Sequence, residues 1–168
     1  LSSSSAASDV YKRQGLVVAI DVFRAFSTAC YVAAAGAARI LAVDSPDRAR
    51  EIKTAHPDWL LAGEVEGQRP ADFELGNSPS EVLAADLAGR TVILRTDSGT
   101  PGLAACGRAD ELITGSFVNA AAVAAYLRSS NPDLATLVAL GAGERTRAQE
   151  DVMCGMFIKN ELEGYPNS

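Results

Sequence analysis

Short apolar runs alternate with stretches of helical character along most of this chain. The strongest run, Leu16–Ile20, is apolar at every position, which predicts a strand that is buried on both faces of a parallel sheet. Further strands are predicted at Arg39–Val43, Trp59–Gly63, Thr91–Leu94, Glu111–Ile113 and Leu134–Leu140. Because strands and helices alternate, the pattern indicates an α/β fold, with helices on both faces of a largely parallel sheet.

Capping residues, Gly and Pro mark where the helices begin and end. Helices are predicted from Ser27 or Thr28 to Ala35, from Pro46 to His56, from Pro79, from Pro101, from Ala120 to Leu127 and from Ala148 to Leu162. The clearest start is the segment Asn77–Glu81, where Ser78 is the N-cap, Pro79 the first helical residue and Glu81 the third. This spacing predicts a capping box. The segment Val65–Gly76 before it is predicted to be a loop.

The first residues differ in composition from the rest. Leu1–Gln14 is rich in Ser and Ala and has no apolar core. We expect it to be a non-native or disordered leader, neither a signal peptide nor a strand. Residues 15–168 are expected to form a single domain, truncated at its C-terminus because Gly164–Ser168 closes no obvious domain.

The composition narrows the class of partner. Hydrophobic residues make up 48% of the 168 residues, and the formal net charge is −6 with Lys and Arg scattered. This argues against a nucleic-acid partner. No apolar run is long enough to span a bilayer. Three cysteines in apolar surroundings favour reduced thiols and therefore a cytoplasmic protein.

Polar residues follow the predicted strands. Asp21 and Arg24 come after the first strand, and Glu64 comes after the third. In open α/β sheets, ligands bind beyond the carboxyl ends of the strands. An acid, an arginine and a helix N-terminus at that edge suit a phosphate or a metal–phosphate group. The turn Asp97–Thr100 and the segment Thr114–Asn119 bring hydroxyl and amide groups to the same kind of position.

Several familiar site types are missing. No Walker A sequence is present, no G-x-G-x-x-G follows the first strand, and a single histidine, His56, argues against a Ser-His-Asp triad. The remaining candidates carry oxygen or guanidinium groups, and they are Asp21, Glu64, Asp97, Glu150 and Asp151 with Arg24, Arg95 and Arg145. Clustered carboxylates repel by roughly 4 kcal/mol per pair at 4 Å. Such a site needs a cation, and all-oxygen ligands favour Mg²⁺.

Six short motifs occur in one order from Ile20 to Gly155. They read I-D-V-F-R-A, A-G-E, F-E-L-G-N-S-P, D-S-G-T, G-S-F-V-N-A and E-D-V-M-C-G. Together they resemble the 2-phosphosulfolactate phosphatase family, the ComB-like proteins. The resemblance implies a three-layer α/β/α fold with a mostly parallel or mixed central sheet. It also implies Mg²⁺-dependent hydrolysis of 2-phosphosulfolactate to 3-sulfolactate and phosphate, as in coenzyme M biosynthesis.

The chain departs from the family's usual pattern at three places. Phe26 stands where Thr or Ser is usual, and Val65 stands where a basic residue is usual. The turn Asp97–Thr100 reads D-S-G-T where T-N-G-T is usual. Another small anionic phosphomonoester therefore remains an alternative substrate.

The positions of individual residues also suggest roles for them. Asp21 is expected to be a metal ligand or the attacking nucleophile, and Arg24 to bind phosphate. Glu64 and Asp151 are expected to be metal ligands, with Asp21, or acid–base groups. Residues expected to contact phosphate or sulfonate are Asn77, Ser78, Asp97, Ser98, Gly99, Thr100, Ser116 and Asn119. Helix capping alone would also explain Ser78, Ser116 and Asn119, and the helix dipole would explain Asp151.

Two further readings stay open. Asp21 and Ser116 fit the motifs of a haloacid-dehalogenase-type phosphatase, but Phe23 stands where that class has its second aspartate. Alternatively, the domain binds an anionic small molecule without turning it over. The Ala-rich segments Ala25–Ala35 and Ala120–Ala125 suit close packing against the sheet or against a second copy, so a homo-oligomer is also open.

Overall fold

The computed structural model of the chain describes residues 2–4, 15–141 and 147–167. Within these residues the strands and helices follow one another in the order β1 (Ser2–Ser4), β2 (Leu16–Ile20), α1 (Ala25–Ala34), β3 (Arg39–Ala42), α2 (Pro46–Ala55), β4 (Leu60–Gly63), β5 (Leu75–Gly76), α3 (Pro79–Leu83), β6 (Thr91–Arg95), α4 (Gly99–Ala105), β7 (Glu111–Gly115), α5 (Ala120–Ser130), β8 (Ala135–Ala139) and α6 (Gln149–Glu163). None of the described helices combines the length and the apolar character that crossing a membrane requires.

The strands form two sheets of four rather than the single central sheet that was expected. The strand orders are β1-β8-β2-β7 and β3-β6-β4-β5, and every pair of neighbouring strands is parallel. The predicted α/β class with parallel strands is therefore confirmed. Ser2–Ser4 pairs with β8, so the expectation that the leader forms no strand is wrong for these residues. The rest of the leader lies outside the described residues.

The first sheet has helices on both faces. Along β2, Val18 and Ile20 pack with residues of α5 and α6, whereas Val17 and Ala19 pack with residues of α1 and α4. This alternation is the period-two pattern of a strand whose two faces are both covered. It produces the three-layer α/β/α arrangement that was predicted.

Helix α1 joins the two sheets. Its first residues, Ala25 and Phe26, pack against the first sheet with Val17 and Ala19. Its later residue Val32 belongs to the core cluster of the second sheet, and it is fully buried there. Because one short helix is shared, the carboxyl ends of β2, β4 and β6 are held near one another.

Helix α1 begins at Ala25, earlier than the predicted caps Ser27 and Thr28. The Ala25 N–H donates to Asp21 Oδ1 at 3.2 Å, so the carboxylate binds the first turn of this helix. The Ser27 hydroxyl instead donates to the Val22 carbonyl at 2.7 Å, inside the turn. The helix start is therefore tied directly to Asp21.

The capping box predicted at α3 does not form, although Ser78 and Pro79 begin the helix as predicted. Ser78 is at the N-cap position with extended backbone, but its side chain makes no capping hydrogen bond and lies 2.9 Å from Ser80 Oγ. Glu81 Oε2 accepts from the Gly76 N–H at 2.9 Å instead of from the Ser78 N–H. The physical reason is the short strand β5 inside the predicted loop, because it brings Gly76 within reach of Glu81.

The close approach of β4 and β6 makes Gly63 a sensitive position. Gly63 has φ +133°, and a Cβ atom there would lie 1.7 Å from the Arg95 carbonyl oxygen. We expect Gly63→Ala to lower the free energy of unfolding by roughly 3–5 kcal/mol, measured by urea denaturation.

Gly89→Ala is the control: its φ is also positive, +70°, but nothing lies within 4 Å of the added Cβ. We expect a loss of only about 1 kcal/mol there. Equal losses in the two variants would contradict the packing argument.

Candidate functional site

Asp21 lies at the carboxyl end of β2 and is 3% exposed. Its Oδ1 accepts from the Ala25 N–H, and its Oδ2 lies 3.4 Å from the donating Ser98 hydroxyl. A Cβ atom at Gly99 would come within 2.7 Å of Asp21 Oδ2, so glycine is required for this close approach. The turn after β6, in the second sheet, is therefore packed against the carboxylate at the end of the first.

The pKa of Asp21 is raised from an ordinary value of 3.8 to about 7, chiefly by burial. The negative charges of Asp151 and, to a smaller extent, Glu64 contribute to this rise. The hydrogen bonds from the Ala25 N–H and the Ser98 hydroxyl act in the opposite direction. Asp21 thus changes its charge near neutral pH, which is a property of groups that act in catalysis or bind cations.

Asp151 connects α6 to the ends of two strands. It lies in the first turn of α6, is 2% exposed, and uses both carboxylate oxygens. Oδ1 accepts from the Val22 N–H at 2.8 Å, and Oδ2 accepts from the Gly141 N–H at 2.9 Å. Burial raises the pKa of Asp151, and these two bonds oppose that rise. The residue therefore fixes the segments that follow β2 and β8.

Glu64, after β4, holds two other predicted site residues. Arg24 NH2 lies 3.2 Å from Glu64 Oε2, and Asn77 Nδ2 donates to Glu64 Oε1 at 3.1 Å. The Arg24 side chain is 47% exposed, whereas that of Glu64 is 14% exposed. Asn77 is buried, and its Oδ1 has no hydrogen-bond partner among the described residues. This cluster leaves one exposed guanidinium and one buried oxygen acceptor available for a ligand.

Arg95 and Asp97 fix the loop that carries Glu64. Arg95 NH1 donates to the Glu64 carbonyl at 2.5 Å and to Asp97 Oδ1 at 2.6 Å. Asp97 Oδ2 accepts from the Gly67 N–H at 2.7 Å. Arg95 was one of the arginine candidates for the site, and in the structure its charge is paired with Asp97.

Three of the predicted ligand residues have their polar atoms engaged within turns. Thr100 Oγ1 accepts from the Thr96 N–H and donates to the Thr96 carbonyl, at 3.0 and 3.1 Å. Asn119 Oδ1 accepts from the Ser116 N–H at 2.8 Å, and its Nδ2 donates to the Thr114 carbonyl at 2.9 Å. The buried Ser116 hydroxyl accepts from a backbone N–H at 3.2 Å. These contacts hold the turns after β6 and β7, and any ligand contact by these residues stays a prediction.

The structure brings most of the predicted residues to one edge, but not all of them into one cluster. Direct contacts join Asp21 to Ser98, and Glu64 to both Arg24 and Asn77. Among the described hydrogen bonds, the Ser78 side chain bonds only to that of its neighbour Ser80. Arg145, a candidate from the sequence, lies outside the described residues.

Two backbone groups that contribute to this edge were not predicted. Gly141 donates to Asp151 and Gly67 donates to Asp97. Gly141 follows a predicted strand directly, and this position could have placed it at the same edge. Gly67 lies within a loop of Gly, Pro and Gln, and nothing in its local sequence marks its partner.

The described carboxylates do not form a complete metal-binding cluster. Of the residues that the structure describes, no three His, Cys, Asp or Glu side chains are close enough to hold one metal ion together. Asp21, Glu64 and Asp151 nevertheless interact electrostatically at this edge. The available oxygen donors are those of a site with one or two protein carboxylates, which is common for Mg²⁺.

Comparison with known proteins identifies relatives of one kind. The family model described as 2-phosphosulpholactate phosphatase matches residues 3–168. A protein of Caldicellulosiruptor saccharolyticus named probable 2-phosphosulfolactate phosphatase is 34% identical over 164 residues, which are 95% of this chain and 67% of the relative. Proteins with the same name from Thermus thermophilus and Bacillus subtilis are 39% and 30% identical, over 89% and 88% of this chain. The matches cover 62% and 64% of these two relatives, so the chain spans about two thirds of the length of such proteins.

The raised pKa of Asp21 predicts a pH-dependent stability. The native state holds this proton more tightly than the unfolded chain does, so the free energy of unfolding falls as pH rises from about 4 to about 7. Asp21→Asn keeps the shape and removes the charge. In metal-free buffer we expect the stability advantage of the variant over the parent chain to be roughly 2–3 kcal/mol larger at pH 8 than at pH 5, because the native Asp21 carboxyl loses its proton between these two values. Urea denaturation at the two pH values measures this.

Asp151→Asn is the matched control. An amide cannot accept from both the Val22 and the Gly141 N–H groups. We expect this variant to lose about 1–3 kcal/mol at both pH values. If Asp21→Asn destabilised the chain equally at pH 5 and pH 8, the charge of Asp21 would not be the cause.

Proposed function

Since the chain belongs to the 2-phosphosulfolactate phosphatase family, we propose that its site hydrolyses 2-phosphosulfolactate to 3-sulfolactate and phosphate. In this reaction the bond between phosphorus and the ester oxygen breaks, water supplies the new oxygen on phosphorus, and the alcohol leaves with a proton. The observation that carries the proposal is the buried Asp21 carboxylate at the junction of the two sheets, with Arg24 and the Ser98–Gly99 turn beside it.

The contacts at this edge support a division of roles. The exposed guanidinium of Arg24 binds phosphoryl oxygens, and its ion pair with Glu64 fixes its direction. Ser98 donates to Asp21 over a long distance of 3.4 Å, and its hydroxyl can turn instead towards a phosphate oxygen. Asp151 holds the segments on either side of Asp21 through the main chain. These residues would position a phosphate monoester against Asp21.

Mg²⁺ fits the chemistry of these donors. Asp21 is a buried carboxylate near other acids, and the Asn77 Oδ1 atom beside Glu64 is a buried oxygen without a partner in the described part of the chain. We propose Asp21 and Glu64 as its protein ligands. Asp151 has each oxygen bound by a backbone N–H, so we give it a positioning role instead. When bound, Mg²⁺ would polarise a phosphoryl oxygen and neutralise charge that develops during hydrolysis.

Asp21 acts either by attacking phosphorus directly or by holding the cation. In the first case an acylphosphate forms on Asp21 and water then hydrolyses it. Hydroxylamine would trap that intermediate as a hydroxamate on Asp21, detectable by mass spectrometry of the peptide. A haloacid-dehalogenase-type mechanism would also require an acid at position 23, where this chain has an exposed Phe23.

The proposal also extends to the pathway and the cellular compartment of the reaction. The reaction would supply 3-sulfolactate, as in coenzyme M biosynthesis. Cys30, Cys106 and Cys154 are free thiols, and this supports a reducing compartment such as the cytoplasm. Self-association stays a prediction from the Ala-rich helices.

Phosphate release tests the proposed function. The assay uses 2-phosphosulfolactate and a panel of other phosphomonoesters, each with Mg²⁺ and with EDTA. We expect release from 2-phosphosulfolactate that EDTA abolishes and that Asp21→Asn lowers by at least about 100-fold. Glu163→Gln is the control for loss of one negative charge, because Glu163 lies at the far end of α6. Activity that survived in Asp21→Asn would overturn the assignment of Asp21.

If phosphate were released only from other esters, the chain would still be a phosphatase, but its substrate would not be 2-phosphosulfolactate. If no ester were hydrolysed but 2-phosphosulfolactate raised the melting temperature, the chain would be an anion-binding domain rather than a phosphatase.

A further inference from the structure

The two guanidinium groups at the site edge differ in how they are neutralised. Arg24 is exposed and pairs with Glu64 at 3.2 Å, whereas Arg95 is 11% exposed and pairs with Asp97 at the shorter distance of 2.6 Å. Asp97 itself is 37% exposed. An approaching anion therefore meets the carboxylate of Asp97 beside the largely covered guanidinium of Arg95.

The place of Asp97 makes its charge relevant to a substrate. It directly precedes Ser98, whose hydroxyl contacts Asp21, and Gly99, which packs against the same carboxylate. Its other oxygen binds the Gly67 N–H, which keeps the carboxylate on the side of the loop that carries Glu64. A negative charge here acts on any ligand seated at Asp21 and Arg24.

We propose that Asp97 is a specificity-determining residue: it cancels the positive charge of Arg95 and so reduces the preference of the site for substrates with charges beyond the phosphate. The inference rests on the proposed function and deepens it. Its physical basis is that Coulomb energy scales with the charge of the ligand. A 2-phosphosulfolactate molecule, with about four negative charges, is therefore affected more than a monoester whose phosphate carries −1.5 to −2.

Replacing Asp97 by Asn isolates the charge from the loop contact. An Asn side chain has nearly the same shape, and its carbonyl oxygen can still accept from the Gly67 N–H. Its amide group does not attract Arg95, so the guanidinium charge is no longer cancelled. Asp97→Thr is a second variant, because a hydroxyl can also accept from Gly67 but carries no charge.

The experiment measures kcat and KM for 2-phosphosulfolactate and for glycerol 2-phosphate, with Mg²⁺, at low ionic strength and in 0.5 M salt (about 4 Å screening length). We expect Asp97→Asn to lower KM for 2-phosphosulfolactate by about three-fold and to change KM for glycerol 2-phosphate by clearly less. The difference between the esters should shrink in salt. Glu163→Gln, which removes one charge at the other end of α6, should change neither KM.

Equal changes of KM for the two esters would overturn the proposal, as would a rise of KM together with a loss of kcat in both Asp97 variants. The latter result would mean that Asp97 serves only to fix the loop. If the parent chain hydrolyses neither ester, the proposed function fails separately. In that case calorimetric titration measures whether Asp97→Asn raises the affinity for 2-phosphosulfolactate more than the affinity for glycerol 2-phosphate. If neither ester binds to any variant, the role of Asp97 is also overturned.

Discussion

The structure depends on one buried carboxylate whose charge it compensates only in part. Asp21 ends the central strand of the first sheet, where a backbone N–H and a hydroxyl bind it, and no ion pair joins it to a Lys or Arg side chain among the described residues. Burying an ionised group without such a partner is costly in free energy. Two further acids nearby increase that cost. The fold therefore retains a destabilising arrangement that only a cation, a proton or a ligand relieves, and this is typical of functional sites.

The surrounding architecture serves to hold that arrangement in place. Each sheet supplies part of the edge: β2 carries Asp21, β4 carries Glu64, and β6 leads to Ser98 and Gly99. Helix α1 packs against both sheets, and α6 is tied to the first through Asp151. The side chains at the centre are therefore fixed by main-chain contacts and by packing, in addition to the contacts of Asp21 with Ser98 and of Glu64 with Arg24 and Asn77.

The sequence predicted the parts of this structure that are encoded locally. The uninterrupted apolar run of β2 predicted the strand and its burial, and the position of Asp21 after this run placed the residue at the carboxyl edge of the sheet. The division into two sheets could not be predicted, because strand order depends on pairing between segments far apart in the chain. The local sequence also could not predict that Glu81 accepts from the Gly76 N–H rather than from the Ser78 N–H. The spacing of Ser78 and Glu81 favoured a capping box, but strand β5 brings the Gly76 N–H within hydrogen-bonding distance of Glu81.

The order of pairing along the chain has a consequence for biosynthesis. The second sheet is built from strands that follow one another between Arg39 and Arg95, so it can assemble as soon as that segment leaves the ribosome. Strand β2 is made earlier, but within the described part of the chain it pairs only with β7 and β8, and the Val22–Asp151 bond closes a separation of 129 residues. Such long-range closure is slow. The nascent chain therefore carries the apolar strand β2 without these partners until β7 and β8 have been made, and during that interval its exposed apolar residues favour aggregation.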